Sequence, residues 1–257
     1  MNEGGTLRLY DAFAASYDEA FESDRVRASY DELAWEAARL ILPQPPGVVV
    51  DAGSGTGRWV ARLLDAGYQV IAIEPASGMQ QILQQRFAGR DDVEIRQNSF
   101  DDASIESGSI DAVVAMGSLQ YAPDPAASLV HMANWVRPGG VVCVHVDSLL
   151  GVVLELIRLG RTEEAIQRAQ DGSGIFTLGE EAARLQLFDR VTLRAALEDA
   201  GLIGVDVRGL LIGAGALGRA ASSARLEASG LNEERQLTAV PALADAGKHL
   251  IAWGWRP

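Results

Sequence analysis

The sequence contains one cysteine, Cys143, and three histidines among 257 residues. An intrachain disulfide is therefore excluded, and a reducing compartment, the cytoplasm, is expected. Cys143 lies inside an apolar run typical of a strand, so we expect a buried thiol and not a reactive one. His131, His145 and His249 do not have the spacing of metal ligands, and we expect no metal site.

Basic residues are also scarce, since 22 Lys and Arg stand against 35 Asp and Glu, for a formal net charge of -13. Proteins that bind nucleic acids neutralise phosphates with clusters of Lys and Arg. We therefore expect no nucleic-acid partner, and an acidic polymer is an unsuitable substrate.

Long apolar segments are absent too. The N-terminus has no basic segment followed by an apolar one, and polar residues from His145 onward interrupt the apolar run that begins at Val141. The sequence therefore predicts neither a signal peptide nor a membrane span.

The most informative stretch that is present is VVVDAGSGTGRW, from Val48 to Trp59. Three consecutive valines predict a strand buried on both faces, which is typical of a parallel sheet. The three glycines that follow have no Cβ, so the backbone can turn tightly and approach a ligand closely. In a doubly wound sheet, such a loop lies where the strand order reverses and a ligand binds.

The pattern in this loop is Asp-x-Gly-x-Gly-x-Gly, and it fits a dinucleotide fingerprint poorly because Arg58 stands where a third small residue is needed. It resembles motif I of the class I S-adenosylmethionine (SAM) dependent methyltransferases. The resemblance implies an α/β fold with a doubly wound, mostly parallel seven-stranded sheet, SAM as cofactor and S-adenosylhomocysteine as product. The cofactor-binding residues implied here are Asp51, Gly53, Ser54, Gly55 and Gly57.

Glu74 follows the next predicted strand, 21 residues after Gly53. A carboxylate at this place can accept hydrogen bonds from both vicinal hydroxyls of a ribose. SAM and NAD both carry that ribose, so Glu74 supports an adenosine-containing ligand without choosing between them. Next to it, Pro75 and Met79 are expected against the nucleoside, although a Met in this position also suits plain packing.

Further cofactor residues are expected after the third and fourth predicted strands. Asn98, Ser99 and Phe100 combine amide, hydroxyl and apolar groups suited to an adenine, and the resemblance places the adenine contact there. The loop Met116–Tyr121 resembles motif IV, which borders both SAM and the substrate. From it we expect Met116, Gly117 and Tyr121 to contact the cofactor. The family often has a histidine pair near Tyr121, and its absence leaves the substrate chemistry open.

An RPGG turn at residues 137–140 resembles the turn before the family's fifth strand, here expected at Val141–Val146. The resemblance therefore covers roughly residues 10–147, with its landmarks in order. The residues alone, without the resemblance, support an adenosine-type ligand on a parallel sheet.

The N-terminal segment, residues 1–42, is expected to form a helical lid. A first helix is predicted at Leu9–Phe21 because Tyr10, Phe13 and Tyr17 recur with helical spacing, and a second at Asp24–Leu42. The aromatic face suits either core packing or a lid over the cofactor. The FAxxYD pattern from Phe13 resembles the segment that covers SAM in many small-molecule methyltransferases, which implies a cofactor contact for Tyr17.

The methyltransferase domain is expected to span residues 43–257, with an insertion at residues 148–188. Apolar periodicity in the insertion predicts two helices, and we interpret it as a substrate cap. A dimerisation arm is the alternative, so monomer and homodimer both remain open. A second GxGxxG, at Gly213, lacks the βαβ context of a nucleotide site. The segment Lys248–Trp255 predicts a final, antiparallel strand.

The sulfonium of SAM already activates the methyl group, so the protein chiefly has to align the acceptor in a dry site. Where a proton must leave, His145 or Asp147 is available as a base, and strand alternation places both on one face. We take His145 as the candidate catalytic residue, with a buried structural histidine as the alternative. The predicted function is methylation at O, N or C of a small molecule, such as a secondary metabolite. The alternatives are a non-catalytic SAM-binding protein and an NAD-dependent oxidoreductase.

Overall fold

The computed structural model describes residues 3–257, with nine strands among them. They are β1 Val48–Ala52, β2 Gln69–Ile73, β3 Val93–Arg96, β4 Ile110–Met116, β5 Val136–Asp147, β6 Ser173–Leu178, β7 Glu181–Gln186, β8 Ile203–Leu210 and β9 His249–Trp255. Seven form one sheet in the order β3-β2-β1-β4-β5-β9-β8, and β6 and β7 form a separate hairpin. β9 runs antiparallel to β5 and β8, while β1 is parallel to β2 and β4. The expected doubly wound sheet is confirmed.

Helices cover both faces of this sheet. They are α3 Arg25–Ile41, α4 Arg58–Asp65 and α5 Ser77–Arg86 on one face, and α6 Pro125–Trp135 and α9 Arg190–Asp199 on the other. Their starts follow from local sequence: the Asp124 carboxylate accepts hydrogen bonds from the N–H groups of Ala126 and Ala127 at the start of α6. Val49 and Val50 of β1 and Val113 and Val114 of β4 are fully buried between the two layers.

The N-terminal segment differs from the single helix predicted for Leu9–Phe21. It consists of α1 Glu3–Phe13, a 3-10 turn at Ala14–Ser16 and α2 Tyr17–Glu22. The 3-10 turn breaks the α-helical run, but Phe13 and Tyr17 on its two sides remain in ring contact, at 5.1 Å between centroids. The second helix, α3, is confirmed, with Asp24 as its N-cap. Residues 1 and 2 of the expected lid lie outside the described residues.

The insertion contains the two predicted helices, α7 Leu149–Arg158 and α8 Thr162–Asp171, followed by the β6–β7 hairpin. The hairpin was not predicted, and it packs against α1. The C-terminal part contains α10 Ile212–Gly215, α11 Arg219–Ser229 and α12 Asn232–Thr238 before β9. The second GxGxxG thus lies in and after a four-residue helix, not in a βαβ unit.

One prediction about β5 is wrong. The segment 137–140 is not a turn before a strand but an irregularity inside a longer strand that begins at Val136. Ile110 of β4 pairs with Val136, and the next pair is Ala112 with Val141. The four residues between them bulge from the pairing, with Gly139 at a φ of +78°.

Candidate functional site

The site is built around the glycine loop, residues 53–57, which joins β1 to α4. The N–H groups of Gly53 and Ser54 both donate to the carbonyl of Ile73 at the end of β2, at 2.8 and 2.9 Å. The loop is thereby held at the carboxyl end of β1, next to the point between β1 and β4 where the strand order reverses. Doubly wound sheets bind their ligands at such a point.

Tyr17 of α2 covers the glycine loop. A Cβ on Gly55 would lie 3.8 Å from Cε1 of the Tyr17 ring, so the space between them is that of an ordinary contact. Burial, followed by the nearby Asp31 carboxylate, raises the pKa of Tyr17 well above its usual value. Its hydroxyl therefore stays protonated next to the loop and can donate a hydrogen bond.

Glu74 follows β2 and is buried. Its Oε2 accepts a hydrogen bond from the N–H of Gly55 and its Oε1 one from the N–H of Ala76, both at 2.8 Å. Burial raises the pKa of Glu74 to about 7, although these two N–H groups oppose the shift. A carboxylate has about four lone-pair positions. Two therefore remain for other donors, which fits the two hydroxyls of a ribose.

Asp51, in β1, is 1% exposed, and its Oδ2 has no hydrogen-bond partner among the described residues. Burial, followed by the Glu74 carboxylate, raises the pKa of Asp51 to about 8. Buried polar atoms are normally paired, because an unpaired one loses its hydration without compensation. A cationic ligand group, such as the ammonium of SAM, would supply the missing partner.

The expected adenine end has a second unpaired atom. Oδ1 of Asn98 is buried without a partner among residues 3–257. Ser99 instead donates its hydroxyl to Asp102, at 2.9 Å, and Phe100 is buried in the main core. Oδ1 of Asn98 can thus accept a hydrogen bond from an exocyclic amine. Both ends of the crevice therefore have unpaired polar atoms to which SAM can form hydrogen bonds.

A cavity of about 600 Å³ opens beside the glycine loop. Seven of the expected cofactor residues line it, as does His145: Tyr17, Asp51, Gly53, Ser54, Met116, Gly117 and Tyr121. The other eight do not: Gly55, Gly57, Glu74, Pro75, Met79, Asn98, Ser99 and Phe100. The cavity therefore reaches the amino-acid end of the expected cofactor site but not its nucleoside end.

The N-terminal segment covers the nucleoside end. Asp11 of α1 accepts hydrogen bonds from the N–H of Gly78, at 2.7 Å, and from the hydroxyl of Ser77, at 3.2 Å. Phe13 packs in one cluster with Met79, which is fully buried. α1 and α5 are therefore in direct contact at the expected nucleoside end.

The expected lid is also tied to the glycine loop. The Thr56 hydroxyl donates to the Asp18 carboxylate of α2 at 2.6 Å, and Arg86 of α5 forms an ion pair with the same carboxylate. Asp18 thus joins α2 to both elements that border the expected cofactor.

We expect Asp18→Ala to increase the dissociation rate of bound SAM about tenfold, because losing these contacts weakens closure by about 1–2 kcal/mol. Stopped-flow displacement of SAM by excess S-adenosylhomocysteine measures this rate. Glu19→Ala, at an exposed position on the same helix, is the control and should leave it unchanged. A lower melting temperature with an unaltered dissociation rate would show that the segment is core packing and not a lid.

Polar side chains gather at the opposite side of the cavity, where the end of β5 lies next to the start of β9. Asp147 of β5 pairs directly with His249 of β9, and Nδ1 of His249 lies 2.9 Å from Oδ1 of Asp147. Gln120 donates from Nε2 to Oδ2 of Asp147, at 3.0 Å, and its Oε1 accepts the Asp147 N–H at 2.9 Å. We call Gln120, His145, Asp147 and His249 the acceptor-side cluster.

His145 lies in this cluster, as strand alternation predicted. It stacks on Tyr30 of α3 at 5.3 Å between ring centroids and lies 5.0 Å from His249. Burial, and next the neighbouring His249, lowers the pKa of His145 to about 3, with Asp147 opposing the shift. Its Nε2 has no hydrogen-bond partner among the described residues. His145 therefore stays neutral at physiological pH and lines the cavity as an uncharged ring.

The sequence did not single out His249 or Tyr30 as site residues. They are 104 and 115 positions from His145, and only the pairing of β5 with β9 and the packing of α3 bring the three rings together. The predicted antiparallel final strand was the available signal, but a strand direction does not specify a register.

Among residues 3–257, no three His, Cys, Asp or Glu side chains come together in a way that could hold a metal ion. Within the same residues, no helix is long and apolar enough to cross a membrane.

Comparison with known proteins supports what this geometry indicates. A methyltransferase domain model matches residues 50–144. A demethylmenaquinone methyltransferase from Clavibacter sepedonicus is 26% identical over 226 residues, which is 84% of this chain and 89% of that protein. A ubiquinone biosynthesis O-methyltransferase from Xanthomonas axonopodis pv. citri is 31% identical over 191 residues, or 70% of this chain and 71% of that one. Several other relatives match over only about half of their own length.

Among solved structures, the DhpI complex with S-adenosylhomocysteine is 21% identical, with a TM-score of 0.61 over 99% of this chain and 97% of that one. The sheet order and the glycine loop thus define a Rossmann-like methyltransferase fold. The chain belongs to the class I SAM-dependent methyltransferases and is a methyltransferase with SAM as its cofactor. This family excludes the NAD-dependent alternative.

Proposed function

We propose that the protein transfers the methyl group of SAM to a small-molecule acceptor held in the 600 Å³ cavity. The observation that carries this proposal is that one cavity is lined both by Asp51 and Gly53 of the cofactor side and by the acceptor-side cluster. A donor and an acceptor bound at its two sides would share one water-excluded space, as methyl transfer requires.

When bound, SAM supplies a methyl group already activated by a sulfonium. In this proposal, Asp51 binds its ammonium, Glu74 its ribose and Asn98 its adenine. Tyr17 and the rest of the lid cover the complex. The acceptor then binds against the aromatic and polar side chains across the cavity.

The position of the insertion beside the cavity supports a small-molecule acceptor. Val152 of α7, Phe176 of β6 and Leu185 of β7 line the cavity, so the insertion at 148–188 acts in this proposal as a substrate cap. Its outer face leaves Ile157, Leu159 and other apolar side chains about half exposed or more, which keeps a homodimer open alongside a monomer. Sedimentation velocity separates the two.

The names of the relatives support the same class of acceptor. One is named for demethylmenaquinone and another for O-methylation in ubiquinone biosynthesis. From these names we infer only that the methyl acceptor is a small molecule. A net charge of -13 is consistent with the absence of a nucleic-acid partner, and the single buried cysteine with the cytoplasm.

Calorimetric titration with SAM, S-adenosylhomocysteine and NAD tests the cofactor part of the proposal. We expect the first two to bind in the micromolar range and NAD not to bind. Transfer of radiolabelled methyl from SAM to a panel of small phenols, amines and carbon acids tests the rest. Cofactor binding without transfer to any of these would favour a non-catalytic SAM-binding protein.

A further inference from the structure

The acceptor-side cluster contains a histidine and a carboxylate in the arrangement of a base and its positioning group. Nδ1 of His249 and Oδ1 of Asp147 are 2.9 Å apart, without the alignment of a full hydrogen bond. Hydrogen bonds of catalytic groups are often misaligned until substrate binds, so this distance is compatible with such a pair. A carboxylate on one ring nitrogen stabilises the imidazolium that forms when the other nitrogen takes a proton.

The other ring nitrogen of His249 is available. His249 is 8% exposed and lines the cavity, and its Nε2 has no hydrogen-bond partner among the described residues. Groups next to it come from two elements: Tyr30 of α3, and His145 and Asp147 of β5. Its chain neighbour Lys248 pairs with Glu155. Burial strongly raises the pKa of Tyr30, so that hydroxyl stays protonated and does not compete as a base.

Asp147 is held as a carboxylate. Burial alone would raise its pKa, but the contacts with His249, and also the charge of Lys248, outweigh burial, so the pKa of Asp147 is lowered. Gln120 fixes the orientation by donating to Oδ2 and accepting the Asp147 N–H. Both carboxylate oxygens are thus occupied, one by Gln120 and one by His249.

The other carboxylates that line the cavity beyond Asp51 are also engaged. Glu155 pairs with Lys248 at 2.8 Å, and Asp31 accepts hydrogen bonds from Arg58, Arg62 and Trp59. The Asp24 carboxylate caps α3. Each of these carboxylates already has a cationic or N–H partner among the described residues, so none presents an unpaired negative charge that would favour a cationic amine over an uncharged acceptor group.

The walls near this cluster are aromatic. Tyr10 packs edge-on against Tyr121 at 5.4 Å between centroids, and Phe13 lies 6.1 Å from Phe176 of the cap. All four rings line the cavity. Flat rings of this kind pack well against an aromatic acceptor. The pKa of a phenol is near that of tyrosine, about 10, so a histidine base can take its proton. The pKa of an aliphatic alcohol is too high for this.

From this geometry, and on the basis of the proposed function, we propose that the acceptor is an aromatic hydroxyl and that His249 is the base, positioned by Asp147 and Gln120. The hydroxyl proton passes to Nε2 of His249, and the hydroxyl oxygen forms the new bond to the methyl carbon. The electron pair of the broken C–S bond stays on sulfur. The leaving group is therefore S-adenosylhomocysteine, whose sulfur is uncharged. The imidazolium, next to Asp147, then releases its proton to solvent. His145 forms a neutral wall beside the acceptor.

The probe for this proposal is 4-nitrophenol, whose phenolate absorbs in the visible range and whose phenol does not. It is added to the protein saturated with S-adenosylhomocysteine, at a pH one unit below the solution pKa of the probe. Equilibrium dialysis gives the bound amount and absorbance gives the ionised fraction. We expect most of the bound probe to be phenolate in the wild type, at least fivefold less in His249→Gln, and an intermediate fraction in Asp147→Asn. His131→Gln, at an exposed position on α6 that does not line the cavity, is the matched control and should leave the ionised fraction unchanged.

Two results would overturn the proposal. Phenolate formation that survives in His249→Gln but is lost in His145→Gln would assign the base to His145. Failure of 4-nitrophenol to bind, while S-adenosylhomocysteine binds normally, would reject an aromatic hydroxyl and leave the proposed methyl transfer standing. Failure of S-adenosylhomocysteine itself to bind the wild type would instead count against the proposed function. A thermal melt of each variant, with its S-adenosylhomocysteine affinity, separates these outcomes from misfolding.

Discussion

Gly53→Ala is expected to weaken SAM binding about 100-fold and to lower the melting temperature by several degrees. Gly53 has a φ of +84°, a backbone conformation that costs a residue with a Cβ about 1–2 kcal/mol. The added Cβ would also lie 2.3 Å from Cβ of Ser118, far inside contact distance. Ser118 cannot move aside easily, since its hydroxyl donates to the carbonyl of Ala52. The glycine loop must therefore shift, and overpacking of this kind costs about 1–3 kcal/mol more.

The control for Gly53→Ala is Gly89→Ala. Gly89 also has a positive φ, of +78°, but no atom lies within 4 Å of the place of its Cβ. It should show the backbone cost alone, a small fall in melting temperature with SAM affinity unchanged. Calorimetric titration and differential scanning calorimetry measure both quantities. If Gly53→Ala binds SAM as tightly as Gly89→Ala does, the glycine loop does not cradle the cofactor.

Residues at strand ends could be predicted from sequence because the signals there are local. Asp51 and Glu74 each follow an apolar run directly, and parallel strands bring their carboxyl ends to one edge of the sheet. The structure places both at that edge, with the Glu74 carboxylate bonded to the N–H of Gly55. Their roles toward the cofactor remain predictions, but their positions followed from patterns within about 25 residues.

Features set by long-range packing could not be predicted. The contact of His249 with Asp147 joins positions 102 residues apart and depends on the register of β9 against β5. A shift of one residue would turn His249 to the other face of the sheet. The β6–β7 hairpin was missed for a similar reason, since it is stabilised by packing on α1 as well as by its own sequence. The 3-10 turn at Ala14–Ser16 leaves the helical spacing of the aromatics nearly intact, so periodicity alone could not reveal it.

The second large effect is expected in the pH dependence of stability: without cofactor, the free energy of unfolding should fall by about 4 kcal/mol between pH 5 and pH 8. Asp51 and Glu74 lower it by about 6 kcal/mol over this range, whereas His145, with its pKa lowered to about 3, raises it by about 2 kcal/mol. The pKa of Asp51 is raised to about 8 and that of Glu74 to about 7, in both cases chiefly by burial. In an unfolded chain both carboxyls titrate near pH 4. Between pH 4 and 8 the folded protein thus binds more protons than the unfolded one, so stability decreases as pH rises.

Asp51→Asn should flatten this dependence, because an amide does not titrate. Glu106→Gln is the control, since it removes one exposed negative charge away from the site and should leave the slope as in the wild type. Thermal unfolding at several pH values measures the slope for each protein. A wild-type slope retained in Asp51→Asn would assign the dependence to the net charge of -13 and not to the buried carboxyls.

The same two carboxyls link cofactor binding to proton release. An ammonium beside Asp51 stabilises its charged form, so SAM should displace up to about one proton near pH 7. Titration of SAM in two buffers with different ionisation enthalpies gives the number released, and Asp51→Asn should release fewer. Equal binding enthalpies in both buffers for the wild type would mean that Asp51 does not meet the ammonium. Because Oδ2 of Asp51 has no partner within residues 3–257, this measurement tests directly whether the cofactor supplies one.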